Sequence, residues 1–227
     1  MDCHLFKDEK TVTITGSNGA LGFELAKKFS VNGYDLILHS RKDNKKKFLA
    51  LKTNISYVTG DIGKDNTLNK IFIKIKKIKS NVLINNAGIY LNKSFKNTNL
   101  KQIDEIMNVN FITNIKLIKK ISKLNFKDFL IININSIAGI SGSANETIYS
   151  ASKHALKGFY DSLEKESGHS FSIMNIFPGA FKSKISKKRP DYSKLMSPNE
   201  IADIIFKNVK NYSSLKINNI FLKRKIY

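Results

Sequence analysis

Tryptophan is absent, cysteine occurs once, and proline three times in 227 residues. A single thiol, Cys3, allows neither an internal disulfide nor a thiolate metal cluster. The four histidines, His4, His39, His154 and His169, are scattered without metal-ligand spacing, so no metal site is expected. Long apolar runs are also missing. The longest uncharged stretch, residues 129–145, carries several Asn, Ser and Gly and is too polar to span a bilayer. Residues 1–10 are charged and lack the apolar centre of a signal peptide. These absences point to a soluble, cytoplasmic protein with no membrane partner. Arginine is scarce as well, with Arg41, Arg189 and Arg224 the only three among 39 basic residues.

Lysine, in contrast, is abundant. Its 36 copies against 18 acidic residues set the net charge at +21. Such a charge invites a nucleic-acid reading. However, 31 Ile and 25 Asn accompany the lysines, so three types with A/T-rich codons fill 92 of 227 positions. The lysines run along the whole chain with no interleaved aromatic stacking groups, which reads as a solvated background rather than a specific nucleic-acid face. With 41% hydrophobic and 25% charged residues, the composition suits one globular domain over residues 1–227.

Short apolar runs alternate with amphipathic segments. Strands are expected at 11–15, 35–39, 55–59, 82–85, 129–135, 172–177 and 219–222. Helices are expected at 20–32, 67–79, 100–124, 148–167 and 199–209, the last opened by Pro198 and Glu200. This alternation specifies an α/β fold, a doubly wound parallel sheet of Rossmann type with helices on both faces.

Directly after the first strand, Thr15-Gly16-Ser17-Asn18-Gly19-Ala20-Leu21-Gly22 runs into a helix. Glycines there let the backbone turn tightly against a pyrophosphate, and the helix N-terminus offers free N–H groups. An ordinary strand–helix turn is the plainer alternative. At the end of the second strand, a carboxylate would suit the ribose of NAD and a cation the 2′-phosphate of NADP. The chain has His39-Ser40-Arg41-Lys42, with no acid before Asp43, which favours NADP(H) over NAD(H).

Tyr149-Ser150-Ala151-Ser152-Lys153 opens a predicted helix, so Tyr149 and Lys153 share one face. A free phenol, with pKa near 10, is a poor acid–base catalyst at neutral pH, and a neighbouring ammonium favours its ionised form. The pair alone would also fit a solvated helix face.

Together, these motifs resemble those of a short-chain dehydrogenase/reductase of the classical type, over nearly the whole length. Residues 15–22 resemble that family's cofactor loop. Asp61, in Thr59-Gly60-Asp61-Ile62, resembles its adenine-binding acid, and Asn85-Asn86-Ala87-Gly88 matches its NNAG motif. Asn110, in Asn108-Val109-Asn110, falls where its catalytic asparagine lies. Ser136 lies 13 residues before Tyr149, as its catalytic serine does, and Pro178-Gly179 follows the sixth strand.

The resemblance implies an oxidoreductase moving a hydride between NADP(H) and a small carbonyl or alcohol. Tyr149 would exchange the proton with the substrate oxygen. Lys153 would lower the Tyr149 pKa and bond the nicotinamide ribose. Ser136 would steady the developing alkoxide, and Asn110 would hold a water linking Lys153 to solvent. The implied cofactor contacts are Gly16, Ser17, Asn18, Gly19, Leu21, Gly22, Arg41, Asp61, Ile62, Asn86, Ala87, Gly88, Tyr149, Lys153, Pro178, Gly179 and Ser183. The helices at 100–124 and 148–167 resemble the family's dimer-forming pair, implying a homodimer or homotetramer. A catalytically silent NAD(P)-binding regulatory protein is the alternative reading.

Departures are few. Ala20 stands where the classical loop has glycine, Asn81 where an aspartate is common, and Ser183 where a threonine is usual. The ending lacks the family's common glycine-rich sequence. Between Pro178 and Pro198, residues 182–194 hold Lys182, Lys184, Lys187, Lys188, Arg189 and Lys194 against Asp191, a net +5 over 13 residues. A mobile cationic lid of this kind suits an anionic substrate, carrier-bound 3-oxoacyl or sugar-type, although a solvated loop in a lysine-rich chain reads equally well.

Overall fold

The computed structural model describes residues 10–168, 170–210 and 217–225. The expectations placed on Cys3, His4, His169 and the N-terminal segment before Lys10 fall outside those residues. Seven strands form one parallel sheet: β1 (Thr11–Ile14), β2 (Asp35–Ser40), β3 (Ile55–Thr59), β4 (Val82–Asn85), β5 (Phe129–Ile134), β6 (Phe171–Pro178) and β7 (Asn219–Leu222). Their order is β3-β2-β1-β4-β5-β6-β7, so the winding reverses between β1 and β4. In sheets of this kind the crevice at the carboxyl ends of the strands, at that reversal, is where ligands sit.

Consecutive residues of these buried strands face opposite sides of the sheet. Val82 and Ile84 join one core, and Leu83 the other. The first core is closed by α1 (Ala20–Val31), through Leu21, Leu25 and Phe29, and by α6 (Pro198–Lys210), through Ile201, Ile205 and Val209. The second lies under α2 (Asp65–Ile78), α4 (Thr113–Ile121) and α5 (Thr147–Glu166), with Leu68, Ile71, Ile75, Leu117, Ile121, Leu156 and Tyr160 inside.

The expected helix at 100–124 is helical from Leu100 to Ile121 but not uniformly α: α3 (Leu100–Met107) gives way to a π-helical turn, Asn108–Ile112, before α4 begins. A π turn holds one residue more than an α turn, which swings side chains around the axis. Apolar spacing on either side of the turn conceals it from a periodicity reading. Asn110 sits in the turn, fully buried.

Residues 182–194 are folded as well as charged. Phe181 and Met196 form a parallel bridge, and the Lys182 N–H donates to the Met196 carbonyl at 2.9 Å. Asp191 accepts two bonds from Arg189, at 2.9 and 3.1 Å, and a third from Arg224 at 2.6 Å. The two arginines hold its carboxyl far below the usual aspartate range. Arg189 is therefore engaged locally, and the lysines carry the free charge of the segment.

Candidate active site

The loop after β1 is built around Gly16, whose φ of +65° lies where side chains are strained. A Cβ there would stand 2.9 Å from the Ala87 Cα, and one on Gly22 would stand 2.5 Å from the Gly16 carbonyl oxygen. The backbone is thus packed too closely for any other residue at these positions. Gly19 precedes α1 without a side-chain cap, which leaves the first N–H groups of the helix open to an anion. Ala20 is the first residue of α1 and is half-buried.

Three neighbours hold this loop in place. Asn86 donates from Nδ2 to the Thr15 and Gly16 carbonyls at 2.9 and 3.1 Å, and the Asn86 and Ala87 N–H groups both donate to the Thr15 hydroxyl at 3.0 Å. The Ser17 hydroxyl and N–H donate to the His39 carbonyl at 3.0 and 2.9 Å. The His39 ring bridges the Gly16 N–H, at 3.4 Å, and the Gly60 carbonyl, at 3.0 Å. Both contacts are satisfied by a neutral ring protonated at Nε2, and burial lowers the His39 pKa accordingly. The sequence reading missed this bridge, because a lone histidine at a strand end carries no signal of its own.

Arg41 is exposed just beyond β2, and Asn18 donates to the Lys42 carbonyl at 3.3 Å, tying the loop to the segment that carries Arg41. Lys47, also unforeseen, donates to the Asn18 carbonyl at 3.2 Å. Asp61 is exposed past β3, and Ile62 beside it packs on the second core. Leu21 is buried in the first core. An uncapped helix end, a cradle too tight for a Cβ and a cation beside it fit a dinucleotide phosphate.

At the ends of β4 and β5 the four expected polar groups converge. Tyr149 and Lys153 lie a turn apart on α5, the Lys153 Nζ standing 6.0 Å from the centre of the Tyr149 ring. Lys153 is buried and donates to the Ile134 carbonyl at 2.9 Å. Ser136 follows β5 and hydrogen-bonds the Tyr149 hydroxyl. Asn110 clasps the backbone of Ile89, accepting from its N–H at 2.8 Å and donating to its carbonyl at 2.9 Å. Its Nδ2 also donates to the Ser152 hydroxyl at 3.1 Å. Gly88 lies between the two: a Cβ on it would be 3.3 Å from Asn110 Oδ1 and 4.0 Å from Lys153 Nζ.

Burial governs the protonation of this pair. It pushes Tyr149 up to about 12, against which the Ser136 bond acts, and lowers Lys153 to about 8. The net shift of Tyr149 is thus upward, opposite to the lowering that the Tyr–Lys spacing alone suggests, because both groups lose water together.

Pro178 ends β6, and the Gly179 N–H donates to the Leu222 carbonyl at 2.8 Å. Ser183 is turned toward Ser186, their hydroxyls 3.1 Å apart. Two residues with no signal in the sequence complete the wall beside Tyr149. The Tyr90 ring meets Tyr149 edge-on at 5.0 Å, and its hydroxyl donates to Glu146 at 2.6 Å.

Comparison with known proteins agrees with this architecture. The profile of the short chain dehydrogenase family matches residues 10–193. A Rickettsia bellii protein named 3-oxoacyl-(acyl-carrier-protein) reductase FabG is 31% identical over 192 residues, covering 82% of this chain and 78% of its own length. A mouse protein named dehydrogenase/reductase SDR family member 7 is 29% identical over 199 residues, 79% of this chain, which spans only 57% of that protein. A solved short chain dehydrogenase from Burkholderia cenocepacia in complex with NADP superposes with a TM-score of 0.84 at 18% identity, covering 95% of this chain and 96% of its own. No helix among the described residues is long and apolar enough to cross a membrane. A family profile spanning most of the chain and a shared fold lead to one conclusion: this chain belongs to the short-chain dehydrogenase/reductase family of NAD(P)-dependent oxidoreductases.

Proposed function

We propose that this chain transfers a hydride between NADP(H) and a carbonyl or alcohol, with Tyr149, Lys153, Ser136 and Asn110 as its working residues. The observation that carries this reading is the meeting of the Tyr149–Ser136 bond, buried Lys153 and Asn110 around Gly88, beside a glycine cradle. The cradle, α1's N-terminus and Arg41 would hold the phosphates, and Asp61 and Ile62 the adenine side. Asn86, Ala87, Gly88, Pro178, Gly179 and Ser183 would line the nicotinamide half, with Lys153 on its ribose. Bound dinucleotide supplies or accepts the hydride.

Burial holds Tyr149 protonated at neutral pH, the form that donates to a carbonyl oxygen, but also makes it a weaker acid than a free phenol, so the transfer depends on protonated Lys153 favouring the phenolate. Ser136 donates to the same oxygen as charge builds on it. The resulting phenolate is stabilised by protonated Lys153 and regains its proton from that side. The Asn110 side chain is committed to Ile89 and Ser152, so a relay water would bind at its main-chain carbonyl, which also accepts from Asn114 Nδ2 at 2.8 Å.

NADP(H) is preferred on the strength of Arg41, and NADP in the Burkholderia structure is consistent with it. The lid lysines favour a substrate with an acidic handle, such as a phosphate or an acyl carrier. A homodimer or homotetramer in the cytoplasm completes the reading, and exposed Leu100 and Ile112 along α3 and the π turn offer apolar surface for assembly. A thermal-shift titration with NADPH and NADH, followed by a panel of carbonyls including acyl thioesters, tests the reading. Stabilisation by neither cofactor overturns it.

A further inference from the structure

The wall formed by Tyr90 and Glu146 has a hydrogen-bonding polarity of its own. Tyr90 lies two residues past Gly88, and Glu146 immediately precedes α5, three residues before Tyr149. Edge-on contact at 5.0 Å fixes the Tyr90 ring against the ring of Tyr149, so whatever reacts at the Tyr149 hydroxyl passes close to this pair. The single Tyr90 proton is spent on Glu146 Oε1 at 2.6 Å, and its oxygen accepts from Asn92 Nδ2 at 3.1 Å. A phenol has one proton to give, and an ionised carboxylate has none. What Tyr90 and Glu146 still offer a ligand is therefore acceptors, one of them charged. Arg189, in the lid, acts electrostatically on both, but its guanidinium is bonded twice to Asp191. Glu146 thus keeps a carboxylate that no cation bonds directly among the described residues, and its field reaches Tyr149.

Resting on the proposed carbonyl reduction, we propose that Glu146, oriented by Tyr90, selects substrates with a hydroxyl or ammonium group on a carbon next to the reacting carbon. That donor is delivered to the Glu146 carboxylate. A carboxylate or phosphate in the same place meets like charge and is refused, so an acidic handle belongs at the other end of the substrate, toward the lid lysines. A simple 3-oxoacyl chain has no donor beside its reacting carbon and forgoes this contact. Hydroxy ketones, amino ketones and their phosphorylated forms are the class that fits.

The test compares 1-hydroxy-2-butanone and aminoacetone with 2-butanone as substrates of the full chain with NADPH. One hydrogen bond to a charged acceptor corresponds to a preference of roughly tenfold or more in kcat/KM for the donor-bearing ketones. Glu146→Gln should shrink that preference to about threefold or less, and Glu146→Asp, which keeps an acceptor-only group, should restore most of it. Glu146 makes no side-chain cap to α5, so the variants retain the helix. Equal rates on all three ketones, a preference unchanged in Glu146→Gln, or turnover confined to donor-free carbonyls each overturns the inference while leaving carbonyl reduction standing. Absence of NADPH binding and of any carbonyl turnover overturns the proposed function itself, and this inference with it.

Discussion

Replacing Lys153 with methionine should alter the pH dependence of stability in a way that can be calculated. Lys153 is 6% exposed, and the one bonded partner of its ammonium among the described residues is the uncharged Ile134 carbonyl. Burial lowers its pKa from 10.5 to about 8. The folded protein therefore holds this proton less tightly than the unfolded chain, and folding is opposed wherever the unfolded lysine is charged. The penalty is full below pH 8 and fades as the pH rises toward 10.5. The gap between those two values corresponds to about 3 kcal/mol, most of which disappears between pH 7 and pH 10. Methionine carries no titrating group, so its variant lacks this component. The cost of leaving the Ile134 carbonyl unpaired is the same at both pH values and cancels. Urea unfolding of both proteins without dinucleotide, at pH 7 and pH 10, should show the wild type gaining on Lys153→Met by about 2 kcal/mol or more. A difference that stays constant, or moves the other way, refutes the assignment of a buried, desolvated ammonium.

Three further outcomes are expected. Tyr149→Phe should lower kcat by about 100-fold or more, as loss of a general acid does, with NADPH still raising the Tm. Arg41→Ala should raise the KM for NADPH by about tenfold and leave that for NADH nearly unchanged, the signature of a lost 2′-phosphate contact; equal effects on both cofactors would remove Arg41 from that role. Gly22→Ala places a methyl 2.5 Å from the Gly16 carbonyl oxygen, so its Tm should fall and dinucleotide stabilisation should vanish in a thermal-shift assay.

The periodic parts of the molecule were legible because each strand and helix repeats one simple instruction. Leu83 between Val82 and Ile84 states a strand buried on both faces, and the spacing of Leu68, Ile71 and Ile75 states a helix with one apolar stripe. Site residues were legible where they fall in ordered motifs on those elements: Tyr149 and Lys153 on one helix face, and Gly16 at a strand–helix turn. Tyr90, Glu146 and Lys47 were not, because their contacts are made between loops, where spacing along the chain does not determine distance. The charge of residues 182–194 was counted correctly but its availability was not: Asp191 engages Arg189 nearby and Arg224 more than thirty residues away. His39 illustrates the same limit, since its meaning lies in two backbone groups just past the ends of separate strands.

The π turn at Asn108–Ile112 makes the number of residues in this stretch as consequential as their identity. Deleting any one of the five could restore an unbroken α-helix, and by local propensity that would be no worse a helix than before. At 3.6 residues per turn, however, the deletion rotates everything downstream by about 100° relative to α3. Leu117, Ile118 and Ile121 would then leave the core, or else Asn110 would lose its clasp on Ile89. Point substitution can change the residue at position 110 while the surrounding frame persists; a change of length cannot be absorbed in that way. Insertions and deletions are therefore expected to be tolerated on the far side of the lid and excluded between Met107 and Thr113, although both segments lie outside the sheet.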